Sequence, residues 1–161
     1  MFKTPNSDRY FEDYCEGDVH SCGSIVVEEA EIIAFAKRFD PQPFHVDPNA
    51  AKQTEFGGLI ASGWHTAALA MRLFADHYLT SVASLASPGI DQIRWLRPVR
   101  PADVLSLRVT VLKSVLSRSK PDRGAVTSLV EAFNQRDEAV MTFTAVNFIG
   151  RRPTGEGGPA A

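Results

Sequence analysis

Residues 63–78 constrain this chain more than any other stretch. Between Thr66 and Ala75 the only charge is Arg72, so nearly every face of the helix they predict is apolar or small. Such a helix has to be enclosed. The material to enclose it follows, where the apolar periodicity changes from helical to alternating. Residues 89–96 and 104–112 predict strands, the second with Leu105, Leu107, Val109 and Val111 on one face. Residues 125–135 and 139–148 are rich in β-branched and aromatic side chains and predict a hairpin turning through 134–138, with Met141, Phe143 and Ala145 on one face. An early strand at 22–27 joins them. The expected architecture is α+β, one antiparallel sheet wrapped around one long buried central helix. A sheet covers only one side of a helix and leaves an edge strand unpaired, so a second copy of the chain is expected to supply the cover, as a homodimer.

Upstream, Ile32, Phe35, Ala36 and Phe39 recur at i, i+3, i+4 and i+7, with acidic residues leading and Lys37 and Arg38 closing, which predicts an amphipathic helix over 28–39. Asp40-Pro41-Gln42-Pro43 stops it and predicts a rigid loop. Asp47-Pro48 predicts an N-cap and first helical residue for a short helix over 47–52, ended at Gly57-Gly58. At 161 residues the chain has room for one domain, expected over 1–149, and the Gly- and Pro-rich stretch 150–161 predicts a disordered tail.

A formal charge of −2 lacks the basic field that nucleic-acid binding needs, and no run approaches the roughly 18 apolar residues of a membrane span. The charged N-terminal stretch reads as neither secretory signal nor transit peptide, so the expected location is cytoplasmic. Cys15 and Cys22 have no redox or zinc spacing and are expected to be free thiols. No P-loop, dinucleotide glycine pattern or metal-ligand cluster is present, so neither a metal nor an internal cofactor is called for.

Asp40 and His45 are five apart, a spacing that neither helix nor strand would bring to one point. A proline-stiffened turn can bring a carboxylate and an imidazole together for acid–base work; equally, Asp40 can end a helix and His45 stand in a loop. Gly63 opens the central helix, where unpaired N–H groups and the helix dipole favour an oxyanion, or it serves only the turn, with Ser62 as a cap. Trp64 can wall an acyl pocket. His65 is read as a core histidine satisfied by a backbone carbonyl, or as part of the same pocket. His20 falls in a charged loop and His77 near a helix end, and neither is assigned a role. Arg94, Arg97 and Arg100 form a solvated basic edge or meet nucleotide phosphates.

Three ordered blocks carry a resemblance. Residues 35–51, FAKRFDPQPFHVDPNAA, resemble the hydratase motif of MaoC-like dehydratases and (R)-specific enoyl-CoA hydratases. Residues 56–69, FGGLIASGWHTAAL, resemble that family's entry into its central helix, and 93–105, IRWLRPVRPADVL, its strand-turn-strand signature. The similarity spans about residues 10–149. It implies a hot-dog fold, a dimer with a substrate tunnel at the subunit interface, and reversible hydration of a trans-2-enoyl thioester with CoA or an acyl carrier as the thiol. By the same matching Asp40 and His45 are the catalytic pair and Gly63 supplies the N–H for the thioester oxygen. Ser62 and Trp64 belong to the substrate pocket, and Asp47 is a structural acid. Ser62 stands where histidine is frequent, Phe39 replaces a glycine, Gln42 an asparagine and Ala102 the glycine of a late turn.

Three functions follow from this reading. The first is an enoyl-CoA hydratase or 3-hydroxyacyl-CoA dehydratase. The second is a non-catalytic acyl-thioester-binding module, if Phe39 and Gln42 spoil the site. The third is a hot-dog thioesterase, which usually needs a carboxylate in or near the central helix, where residues 63–75 offer none.

Overall fold

In a computed structural model, residues 2–153 are described. Five strands form one antiparallel sheet in the order β1-β3-β4-β5-β2, from β1 (Val19–Val26), β2 (Ser84–Trp95), β3 (Val104–Leu116), β4 (Arg123–Phe133) and β5 (Ala139–Gly150). Helix α1 is Glu29–Phe39, α2 is Pro43–Val46, α3 is Pro48–Lys52 and α4 is Gly63–Leu73, the last continuing as a π-helical segment, Phe74–Tyr78. The architecture is the expected α+β hot-dog, with the curved sheet closed over α4.

The alternation read from the sequence is the one that packs. Leu105, Leu107, Val109 and Val111 of β3 and Met141, Phe143 and Ala145 of β5 are all buried, against Leu69, Ala70, Leu73 and Phe74 of the helix. The predicted hairpin joins β4 to β5, where Asn134 N–H donates to Glu138 O and Asp137 N–H to Asn134 O.

The central helix is buried on the face toward the sheet and, as expected of one copy of the chain, is open on the other side: Trp64 and Met71, seven residues apart, are 57% and 45% exposed. Several other expectations are corrected. Strand β2 starts five residues early and breaks register three times, since it lies at the sheet edge, carries Pro88, which has no N–H, and takes positive φ at Gly89 and Gln92. Part of the expected loop is helical: Pro43, at the first position of α2, sets φ for one turn of helix. Phe39, the last residue of α1, is exposed, outside the apolar stripe that Ile32 and Ala36 bury. His20 is not in a loop; it faces inward from β1 and its ring stacks on Phe2 at 3.7 Å.

The chain beyond residue 149 does not all behave as a tail. Gly150 ends β5, Arg151 pairs with Glu12, and Arg152 pairs with Asp8 and Asp13, so these two arginines tie strand β5 to the N-terminal segment. Residues 154–161 of the expected tail lie outside the described residues. Cys15 and Cys22 are free. No helix among the described residues is long and apolar enough to cross a membrane.

Candidate active site

Three short elements meet at one wall. Helix α1 ends because Pro41 and Pro43 follow, which leaves Asp40 just past its C-terminus at φ −152°, ψ 67°. The single turn of α2 then swings His45 back toward the molecule, where it is buried. Asp47 caps α3, accepting from Asn49 N–H at 2.8 Å and Ala50 N–H at 3.2 Å, as its Asp-Pro pair predicts. An extended stretch follows, pinned where Ile60 N–H donates to Phe44 O and Ala61 N–H to Val99 O, and it delivers Ser62 and Gly63 to the start of α4.

The two residues, five positions apart, do come together: Asp40 Oδ2 and His45 Nε2 are 3.5 Å apart. His45 Nδ1 lies 2.8 Å from the carbonyl oxygen of Ile60. A carbonyl only accepts, so Nδ1 carries a proton, and in the neutral ring Nε2 presents its lone pair toward Asp40. The Asp40 carboxylate accepts from Ser62 Oγ–H at 2.6 Å on Oδ2 and from Gln42 Nε2–H at 2.8 Å on Oδ1. These two donors, Ser62 foremost, hold its pKa below the usual carboxylate value against the opposing effect of partial burial, and His45 adds to the lowering. Asp40 is therefore an anion over the whole neutral range.

A cavity of about 410 Å³ opens on this pair. Asp40, His45, Gly63 and Trp64 line it, together with residues that the sequence reading did not single out as wall, notably Trp95, Phe56 and Thr66. The signal for Trp95 was present in the third matched block. Ser62 is brought to the site but not to the cavity: it is fully buried, caps α4 by accepting from Trp64 N–H at 3.2 Å, and lines no part of the wall. Gly63 is the first helical residue, among the donors an α-helix leaves without an internal partner. It is glycine for a reason not legible in the chain. A Cβ there would stand 2.5 Å from Cε2 of the Trp95 ring, whose Nε1–H donates to Gly63 O at 2.8 Å.

The other candidates separate. His65 is buried, stacks on Phe35 at 4.9 Å and does not line this cavity; its Nδ1 finds no partner among the described residues, so no backbone carbonyl holds that nitrogen. Of the three arginines only Arg97 reaches the cavity; Arg94 bonds its neighbour's carbonyl, and Arg100 holds Phe56 O at 2.6 Å. His77 stands against Gly23 and is not on the cavity wall that Asp40 lines. No cluster of three or more His, Cys, Asp or Glu side chains suited to a metal occurs among the described residues.

The model of the MaoC-like domain matches residues 13–134, and all three groups that converge on the cavity lie inside that span. The chain belongs to the MaoC-like domain family. It is 44% identical to the MaoC-like dehydratase from Rhodospirillum rubrum, whose crystal structure superposes with a TM-score of 0.84 over 91% of this chain and 99% of that one. An (R)-hydratase from A. caviae involved in PHA biosynthesis is 26% identical, with a TM-score of 0.67 over 86% of this chain and 97% of its own. The uncharacterized protein YdeM of Bacillus subtilis (strain 168) is 31% identical over 130 residues, 81% of this chain and 91% of YdeM.

Proposed function

We propose that this MaoC-like protein adds water reversibly to a trans-2-enoyl thioester, with CoA or an acyl carrier as the thiol. The observation that carries the reading is the Asp40–His45 pair, 3.5 Å apart on the wall of a cavity that also presents Gly63 at the start of α4. A water held by both from the cavity side gives its proton to His45 Nε2 while its oxygen bonds to C3. Asp40, a weak base because of its two hydrogen bonds, accepts from the water and stabilises the imidazolium that forms. The electron pair of the double bond moves onto the thioester oxygen, where Gly63 N–H meets the developing charge, and the proton returns from His45 to C2. Nothing is oxidised or reduced, and each proton and electron pair in the sequence is accounted for by these groups.

Two observations weigh against the competing readings. Gln42 does not obstruct the carboxylate but donates to it, and Phe39 is 61% exposed and lines no part of the cavity, which removes the grounds for a spoiled, binding-only site. The first carboxylate after Gly63 is Asp76, which is exposed and paired with Arg72 at 2.7 Å, so α4 offers no base for a thioesterase. The half-open helix supports the homodimer: Trp64 and Met71 on α4, with Leu85, Ile90 and Trp95 on the edge strand, are the apolar surface a second copy would cover.

A panel of enoyl-CoA thioesters of varied length and branching tests the reading. Loss of the conjugated double bond without free thiol is the expected result. Thiol release would mark a thioesterase, binding without either change would mark a carrier module, and light scattering at a protomer mass of 17.6 kDa would refute the dimer.

A further inference from the structure

We propose that Ser62 is a positioning residue for this reaction: its hydroxyl ties the Asp40 carboxylate to the first turn of α4, so that the acid–base pair and the Gly63 N–H are held as one rigid unit. The reaction itself is the one proposed above, and the inference rests on that reading. Ser62 is fully buried and touches no part of the cavity, so it acts through Asp40 and not on substrate. Its Oγ has two partners of opposite kind. It accepts Trp64 N–H at 3.2 Å and gives its single proton to Asp40 Oδ2 at 2.6 Å.

The backbone on which Ser62 sits is fixed from both sides. Ile60 and Ala61 donate to Phe44 O and Val99 O, and Thr66 N–H donates to Ser62 O at 3.0 Å. The same short run references every group in the site. Ile60 O orients the imidazole, Ser62 Oγ holds the carboxylate, and the peptide joining Ser62 to Gly63 carries the proposed oxyanion donor. Asp40 needs such a tether because it lies beyond the last turn of α1. Its second tether, Gln42, belongs to the same exposed loop and so cannot register Asp40 against α4. The other charged or titratable groups on the cavity wall are His45 and Arg97. In a site of this kind a displacement of about 1 Å is enough to lose about 10²-fold in rate.

Three variants separate positioning from folding. Ser62→Thr keeps the hydroxyl, Ser62→Gly removes it while leaving a residue that caps helices almost as well, and Ser62→Ala removes both functions. The Asp40 carboxyl is titrated in each folded protein by carbon-13 NMR, which needs no substrate, and kcat and KM are followed against pH on the enoyl-CoA that the wild type hydrates best. In Ser62→Gly, Asp40 is expected to titrate at higher pH than in the wild type, the acid limb of the rate profile to rise with it, and kcat to fall by about 10²-fold with KM little changed and melting temperature kept. Ser62→Thr is expected to restore the wild-type titration and most of kcat. The proposal is overturned if Asp40 titrates unchanged in Ser62→Gly, if Ser62→Thr is as impaired as Ser62→Gly, or if rate falls only in step with melting temperature. A wild type that hydrates no enoyl thioester would refute the hydration reading alone, and the Asp40 titration would still decide whether Ser62 holds the carboxylate.

Discussion

Replacing Gly63 by alanine puts a methyl group 2.5 Å from Cε2, 2.7 Å from Nε1 and 2.8 Å from Cδ2 of Trp95. Carbon atoms in ordinary contact stand about 3.5–4.0 Å apart, so the indole has to move by roughly 1 Å. That movement breaks the Nε1–H bond to Gly63 O at 2.8 Å. Losing that bond costs about 0.5–1 kcal/mol, at the lower end because Trp95 is 44% exposed. Displacing the ring from its seat adds about 1–2 kcal/mol, and the better helix propensity of alanine returns about 0.5 kcal/mol. The expected net destabilisation is therefore about 1–2 kcal/mol. In a Trp95→Ala background the obstacle is gone, and Gly63→Ala is expected to be neutral or slightly stabilising. Urea unfolding of the wild type, both single variants and the double variant, at one protomer concentration, measures the coupling. Additivity within about 0.5 kcal/mol would refute the packing argument. The same geometry governs how the oxyanion role is tested. Gly63→Pro by itself is not a clean deletion of the N–H, since proline also carries a Cβ. Gly63→Pro compared with Gly63→Ala, both in the Trp95→Ala background, differ in the donor, and the proline form is expected to have kcat lower by about 10²–10³-fold.

Asp40→Asn and His45→Ala are each expected to lower kcat/KM for hydration by about 10²–10⁴-fold with the fold retained by circular dichroism; full turnover in both would make the pair structural. Ala102 takes φ +67° in the turn after Pro98, a conformation that costs a non-glycine residue about 1 kcal/mol, so Ala102→Gly is expected to raise stability by up to about 1 kcal/mol, or roughly 2–4 °C in Tm, and a fall would refute the strain. Burial lowers the pKa of both His20 and His65. The unfolded chain then takes up protons that the folded one refuses, and stability falls as pH drops below the ordinary histidine value of about 6.5 until the lower folded values are passed. The depressed Asp40 works in a more acidic window: its contribution is present above the ordinary carboxylate value and is lost only as pH falls through the lower folded one. Urea midpoints at about pH 7.5 and 5.5 check this, and His65→Phe is expected to flatten the difference between them.

Much of the architecture is readable from local pattern because local pattern is what burial acts on. The near-uncharged run in α4, the alternation along β3 and β5 and the Asp47-Pro48 cap each state their role within a few residues, and each behaves accordingly. The meeting of Asp40 with His45 is half legible: the prolines exclude a continuous helix, and the matched family motif names the pair, but the single turn of α2 that aims the imidazole does not show in the composition of a loop. What no local pattern holds is distance across the fold. Ser62 looks like a helix cap and is one, yet its proton goes to a carboxylate 22 residues earlier. Gly63 looks like a turn residue or a door for ligand, yet its missing side chain makes room for an indole 32 residues later. Backbone preference and hydrophobic period are written into each segment separately, so the chain determines its elements and their buried faces. A hydrogen bond or a close contact depends on two segments at once, and only the closing of the sheet over α4 decides which atoms meet.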